Sequence, residues 1–244
     1  MIRLLAVFVW IIPATIWFGG RMIVAVVIGA RNRRCICRNS PRGWARQLLW
    51  LSSTNVVFEN ADVIHTDRPQ ILVANHSSWY DVLALASVPG NAVFVAKKEL
   101  AKIPVFGRAL RECGHVFVDR GDRNAAVASM AAARDLLEKE SPTVIMFPEG
   151  TRSKSGDLQK FKKGAFVLAI QTGVDIVPAA IIGSRDVMNK ESLKISPGTI
   201  IVRFGAPIRV EGLRMDDRNA LTERARNAVL ELQAAPVQSD QKAT

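Results

Sequence analysis

From Asn55 onward the chain alternates short apolar runs with stretches of helical character. Residues 71–74, 92–96, 116–118, 143–147, 176–182 and 199–204 are compact apolar runs that read as strands. Residues 124–139, rich in Ala, Leu, Arg and Glu, read as a helix, as do 163–171, which end at Gly173, and the amphipathic stretch 215–234. Strands alternating with helices predict an α/β fold, a sheet flanked by helices. In such folds ligands sit in the loops at strand ends, so the residues that follow each run carry the most information. The chain divides into a helical segment 1–54, an α/β domain 55–235 and a polar tail 236–244 expected to be flexible.

The N-terminal segment is different in kind. The chain carries a formal net charge of +11. No Asp or Glu precedes Glu59, whereas Arg3, Arg21, Arg31, Arg33, Arg34, Arg38, Arg42 and Arg46 all do. These arginines adjoin Leu, Val, Ile and Trp, which predicts an anionic membrane surface as partner rather than nucleic acid. Residues 4–30 are almost wholly apolar and long enough to cross a bilayer, with Arg21 inside the run. Three readings follow: a spanning helix with the later arginines on the cytoplasmic face, a helix that dips into one leaflet, or a cleaved signal peptide. Residues 41–51 read as a short amphipathic helix. Cys35, Cys37 and Cys113 make neither a disulfide framework nor a zinc site, and are expected to be free thiols in a reducing compartment.

The strand ends hold the chemistry. After the run 71–74 come Asn75-His76-Ser77-Ser78-Trp79-Tyr80-Asp81. On one regular helix His76 and Asp81 would lie on different faces. They meet only if His76 is in the loop and a helix begins just after it, with Ser77 or Ser78 as N-cap. Asp81 then accepts a hydrogen bond from one ring nitrogen and leaves the other to act as a base. After 116–118 comes Asp119-Arg120-Gly121, in which Arg120 suits a phosphate. After 143–147 come Pro148-Glu149-Gly150-Thr151-Arg152-Ser153, which offer close backbone approach at Gly150, hydroxyls, and a fixed charge at Arg152 for an anion such as a phosphate monoester. Glu149 is expected to orient Arg152 or to accept a hydrogen bond from a substrate hydroxyl. Lys97 and Lys98 follow the run 92–96, and Lys160, Lys162 and Lys163 precede the next helix. As isolated features each of these reads equally as a solvated surface group.

Together they resemble the glycerolipid acyltransferases, and within them the 1-acylglycerol-3-phosphate acyltransferases. Asn75–Asp81, with four residues between His and Asp, is similar to the family's first block. Gly114-His115-Val116-Phe117-Val118-Asp119-Arg120 is similar to the second, Phe147-Pro148-Glu149-Gly150-Thr151-Arg152-Ser153 to the third, and Ile176-Val177-Pro178-Ala179 to the fourth. Lys97-Lys98-Glu99-Leu100 and Phe161-Lys162-Lys163-Gly164 also look familial. The resemblance covers residues 71–182, nearly half the chain. It implies a mixed sheet flanked by helices and an enzyme that moves a fatty acyl group from acyl-CoA or acyl-carrier protein to the 2-hydroxyl of 1-acylglycerol 3-phosphate, giving phosphatidate. It implies His76 as general base oriented by Asp81, and Arg120 on the acceptor phosphate. Glu149, Gly150, Thr151 and Arg152 would place the acceptor, Lys98 would bind substrate, and Pro178 would shape the site. No metal and no cofactor beyond the acyl donor are implied. Membrane lipids and lysophosphatidate are the expected partners, and a bacterial inner membrane, with the catalytic domain on its cytoplasmic face, the expected location. The same motifs serve acyltransferases for glycerol 3-phosphate, other lysophospholipids or lyso-ornithine lipids. A non-catalytic protein that binds anionic lipids is the remote alternative.

Overall fold

The computed structural model of the chain describes residues 2–119, 121–140, 142–189, 191 and 194–236. In chain order the elements are α1 (Ile2–Val27), α2 (Arg33–Leu51), β1 (Thr54–Glu59), β2 (Gln70–Ala74), α3 (Tyr80–Ala86), β3 (Ala92–Lys97), α4 (Phe106–Glu112), β4 (Val116–Val118), α5 (Arg123–Glu140), β5 (Thr143–Met146), α6 (Gly164–Thr172), β6 (Ile176–Ile182), α7 (Ser184–Val187), β7 (Gly198–Phe204) and α8 (Arg218–Ala234).

The strands form a seven-stranded mixed sheet in the order β1-β7-β6-β2-β5-β3-β4. From β6 across to β4 all neighbours run parallel. β7 runs antiparallel to β6, and β1 pairs parallel with β7. Alternation along the central strands sends side chains to two cores. Ile71, Val73, Val144 and Met146 pack with Ala133 and Leu137 of α5, Phe166 and Leu168 of α6, and Leu221 and Val229 of α8. Leu72, Ala74, Ile145 and Val177 pack on the opposite face with Leu48 and Leu49 of α2 and Leu83 and Leu85 of α3. This is the expected mixed α/β sheet between layers of helices.

Some elements differ from the sequence expectation. β1 was not foreseen: it is an edge strand whose apolar stretch is short and ends at a charged Glu59. α2 begins at Arg33 and runs through Pro41, so it is longer than 41–51. α4 was also unforeseen, being short and rich in charge. The tail expected to be flexible lies, from residue 237 on, outside the described residues.

α1 is long and apolar enough to cross a membrane, yet it lies antiparallel along α2. Trp10 Nε1 donates to Gln47 Oε1 at 3.0 Å, and Trp44 Nε1 donates to Thr15 Oγ1 at 3.1 Å. Gly43 leaves room for the Phe18 ring. The opposite face of α1 exposes Leu5, Val9, Ile12, Ile16 and Trp17.

The cysteine expectation is corrected here. Cys37 of α2 and Cys113, just past α4, form a disulfide, and Cys35 is free and exposed. Folding α1 and α2 against α4, with Trp44 and Phe106 ring centroids 5.8 Å apart, brings the two cysteine α-carbons to 5.3 Å. Their separation of 76 positions in sequence concealed the pairing.

Candidate active site

Because β2, β5, β3 and β4 are parallel neighbours, the segments that follow them emerge on one edge of the sheet. His76 follows β2, Glu149 to Arg152 follow β5, and Lys98 follows β3. Arg120, which follows β4 in sequence, lies outside the described residues.

His76 is held from several directions. Its Nδ1 is 2.8 Å from Asp81 Oδ2, and its ring stacks on Phe147 with centroids 4.1 Å apart. Its backbone N–H donates to Glu149 Oε1 at 2.6 Å, and its carbonyl accepts from the Ser153 N–H at 2.7 Å. Its side chain is 15% exposed, so an edge of the imidazole is open. Among the described residues Nε2 makes no hydrogen bond.

Asp81 is fully buried in the first turn of α3. Its Oδ2 also accepts the backbone N–H groups of Ser77 at 2.7 Å and Ser78 at 2.8 Å. A carboxylate that receives two backbone N–H groups is an acceptor toward the imidazole as well. The proton of a neutral His76 therefore sits on Nδ1, and Nε2 presents a lone pair. The loop-then-helix arrangement required by the five-residue spacing is the one found. The cap differs slightly: Trp79 immediately precedes the helix, and Ser78 Oγ accepts the Tyr80 N–H at 3.1 Å.

Glu149 does something the sequence did not suggest. It is buried, and its two oxygens accept the N–H of His76 and, at 3.2 Å, that of Gln159. It ties the loop after β5 to the loop after β2. Burial raises its carboxyl above the usual glutamate range, and the two N–H bonds act against that rise. Gly150 sits at φ +76°, a conformation suited to glycine. Thr151 is exposed, and its carbonyl accepts from Gln159 Nε2 at 3.2 Å. The Arg152 guanidinium lies 4.9 Å from the Trp79 ring centroid; burial lowers its pKa, and the Asp81 charge opposes that shift. Ser153 is buried, and its hydroxyl accepts from Gly156 N–H at 3.0 Å, which makes it a loop fastener.

The other expected residues are placed differently. Lys98 Nζ is 3.1 Å from Asp119 Oδ2, and Asp119 Oδ1 accepts the Gly121 N–H at 3.0 Å, so Lys98 is paired with the carboxylate that follows β4. Pro178 is buried within β6 opposite Val73, its carbonyl accepting from Gly205 N–H at 2.8 Å, and belongs to the sheet more than to the polar cluster. Sequence reasoning gave no role to Asn75, Trp79 or Phe147. Asn75 exchanges two hydrogen bonds with the Ile181 backbone, at 2.9 and 2.7 Å, extending the β2–β6 pairing past its last residue. The available signal was their presence inside the motif blocks.

Residues 55–182 match the model of the Acyltransferase family. The chain is 33% identical over 179 residues to a 1-acyl-sn-glycerol-3-phosphate acyltransferase of Cocos nucifera, covering 73% of this chain and 58% of that one. It is 35% identical over 182 residues to the alpha form of 1-acyl-sn-glycerol-3-phosphate acyltransferase of Homo sapiens, covering 74% and 64%. The chain thus spans less than two thirds of the length of these curated relatives. The crystal structure of the 1-acyl-sn-glycerophosphate (LPA) acyltransferase PlsC from Thermotoga maritima superposes with a TM-score of 0.80 at 27% identity, covering 97% of each chain. The matched region contains His76, Asp81 and the Glu149–Arg152 turn, and the chain belongs to the Acyltransferase family.

Proposed function

We propose that this protein transfers a fatty acyl group from an acyl thioester, acyl-CoA or acyl-carrier protein, to the 2-hydroxyl of 1-acylglycerol 3-phosphate, giving phosphatidate. The observation that carries the reading is the His76–Asp81 pair, with Nδ1 held at 2.8 Å and Nε2 open. The acceptor hydroxyl attacks the thioester carbonyl while its proton passes to Nε2. The imidazolium so formed is stabilised by Asp81, whose negative charge is fixed in place by Ser77 and Ser78. Collapse of the tetrahedral intermediate breaks the carbon–sulfur bond, and the thiolate leaves and takes the proton back. The substrate supplies the nucleophile, so no serine or cysteine is needed. Arg152 and Arg120 would grip the acceptor phosphate and so orient the hydroxyl. The names of the relatives favour this acceptor over the others.

The same reading places the enzyme on a membrane. The apolar face of α1 meets lipid, and the exposed Arg33, Arg34, Arg38 and Arg46 of α2 meet anionic headgroups, while Arg42 is held by the carbonyls of Val88 and Gly90. The antiparallel packing of α1 along α2, itself packed on the domain, supports a helix lying in one leaflet rather than one projecting across the bilayer.

The test is an acyl-transfer assay of the purified protein with lysophosphatidate, glycerol 3-phosphate, other lysophospholipids and lyso-ornithine lipid, each with both thioester donors. Preferential phosphatidate formation from lysophosphatidate is expected. Preference for another acceptor would overturn the assignment.

A further inference from the structure

Lys162 lies in the loop between β5 and α6, and its backbone N–H donates to the Pro148 carbonyl at 2.8 Å, closing that loop at its stem. This bond fixes the lysine beside the turn that carries Glu149, Gly150 and Arg152. The end of its side chain is laid across Gly150. A Cβ at that position would stand 2.8 Å from Lys162 Cε, 2.9 Å from Nζ and 3.1 Å from Cδ.

The ammonium group over Gly150 has no hydrogen-bond or ion-pair partner among the described residues. The carboxylate of the turn, that of Glu149, is occupied by the N–H groups of His76 and Gln159. Arg152 in the same turn is fixed against Trp79. Two residues after Lys162, α6 begins at Gly164 with no acidic residue in its first turn and no side-chain cap, so the helix itself supplies no counter-charge to its positive end. One cation thus belongs to this turn and another lies over it, a helix starts two residues after the second, and the turn is hydrogen-bonded to the backbone of His76. Lysine is a point-charge phosphate ligand, complementary to the forked guanidinium beside it.

We propose that Lys162 is a phosphate-binding residue of the active site, its ammonium held over Gly150 to take the phosphate group of a substrate. The proposal rests on the acyl-transfer reading above. It adds a residue outside the Glu149–Arg152 turn and gives Gly150 a second role, since the absent side chain is what lets the lysine cross. Both the acceptor and a CoA donor carry phosphate, so the two sources must be separated by experiment.

The variants are Lys162→Met, which keeps the length of the side chain and removes its charge, and Lys162→Arg, which restores the charge. Initial rates are measured with lysophosphatidate varied at fixed acyl-CoA, then with acyl-CoA varied at fixed lysophosphatidate. We expect Lys162→Met to raise the KM for one of the two substrates about tenfold. The kcat should stay within about twofold of wild type, and Lys162→Arg should recover most of the loss. A rise confined to lysophosphatidate identifies the acceptor phosphate, and one confined to acyl-CoA the donor phosphate. Unchanged KM for both substrates, or a fall in kcat alone, would overturn the proposal. Thermal stabilisation by inorganic phosphate is measured in parallel. Its loss in Lys162→Met supports phosphate binding even if wild type proves inactive on lysophosphatidate, and its full retention contradicts it.

Discussion

Glu149 Oε1 accepts the backbone N–H of His76 at 2.6 Å, so the glutamate of one strand-end loop fixes the histidine of its neighbour. The other oxygen of the same carboxylate takes the N–H of Gln159 and holds the far side of the loop. Glu149 therefore fixes the backbone from which the imidazole projects. Replacing it by glutamine turns one acceptor oxygen into a donor facing an N–H group. We expect Glu149→Gln to lower kcat by roughly 10- to 100-fold, about 1.4–2.8 kcal/mol in the barrier. The acceptor KM should change much less. Steady-state kinetics with the acceptor varied check this; a variant that changes KM alone would assign Glu149 to substrate binding.

The same carboxyl gives a pH signature. Burial raises its pKa above 4.5, so the folded state binds this proton more tightly than the unfolded chain. Its contribution to stability is fully present below the unfolded value and is lost as pH rises through the folded value. The Tm advantage of wild type over Glu149→Gln should accordingly shrink as pH rises above about 4.5. Thermal melts of both proteins across that range provide the comparison, and a difference independent of pH would contradict the expectation.

Asp81 orders the imidazole and sets its tautomer. The N–H groups of Ser77 and Ser78 and the Nδ1 of His76 all meet the one oxygen Oδ2, so in Asp81→Asn the amide oxygen stays there, the NH2 group takes the buried Oδ1 position, and the negative charge that stabilises the imidazolium is lost. The expected effect is a fall in kcat of about 10²–10⁴ with little loss of fold. Activity and circular dichroism measured on the same preparation separate the two effects.

Trp79 is half exposed, and Arg152 lies over its ring. A cation–π contact at such a site contributes about 0.5–1 kcal/mol. Trp79→Ala should therefore raise the acceptor KM roughly two- to fivefold, and Trp79→Phe should recover part of it. Arg152→Ala should have the larger effect, because the charge itself is lost.

The Cys37–Cys113 disulfide predicts a thiol count. Of three cysteines, one reacts with a thiol reagent in the denatured, unreduced protein, and all three react after reduction. Closing a loop of this length restricts the unfolded chain by about 4 kcal/mol on the chain-entropy account. Reduction should lower the Tm clearly. Three reactive thiols before reduction would show that the pair is open.

Much of this site was legible in the sequence because its parts are local. The spacing of His76 and Asp81 is incompatible with one helix, which places the histidine in the loop. The parallel order of β2, β5 and β3 brings their following loops to one edge, so the residues after each apolar run were the right ones to read. What was hidden depends on distant partners. Nothing near Glu149 in sequence indicates that its acceptor role is toward the backbone of residue 76. Lys98 looked like a free cation because its partner, Asp119, lies on the next strand end. Pro178 stands in a motif block of the sequence, and its partner in the sheet, Val73 of β2, is distant in the chain. β1 is recognisable only from its pairing with β7, since a short apolar stretch on an edge strand carries little periodic signal.

The most direct measurement is single-turnover transfer of a labelled acyl group from its thioester to lysophosphatidate by purified wild type and His76→Ala. With Nε2 as the base, the variant should bind lysophosphatidate with nearly unchanged affinity and transfer at least about a hundredfold more slowly. Transfer at a near wild-type rate would contradict the account.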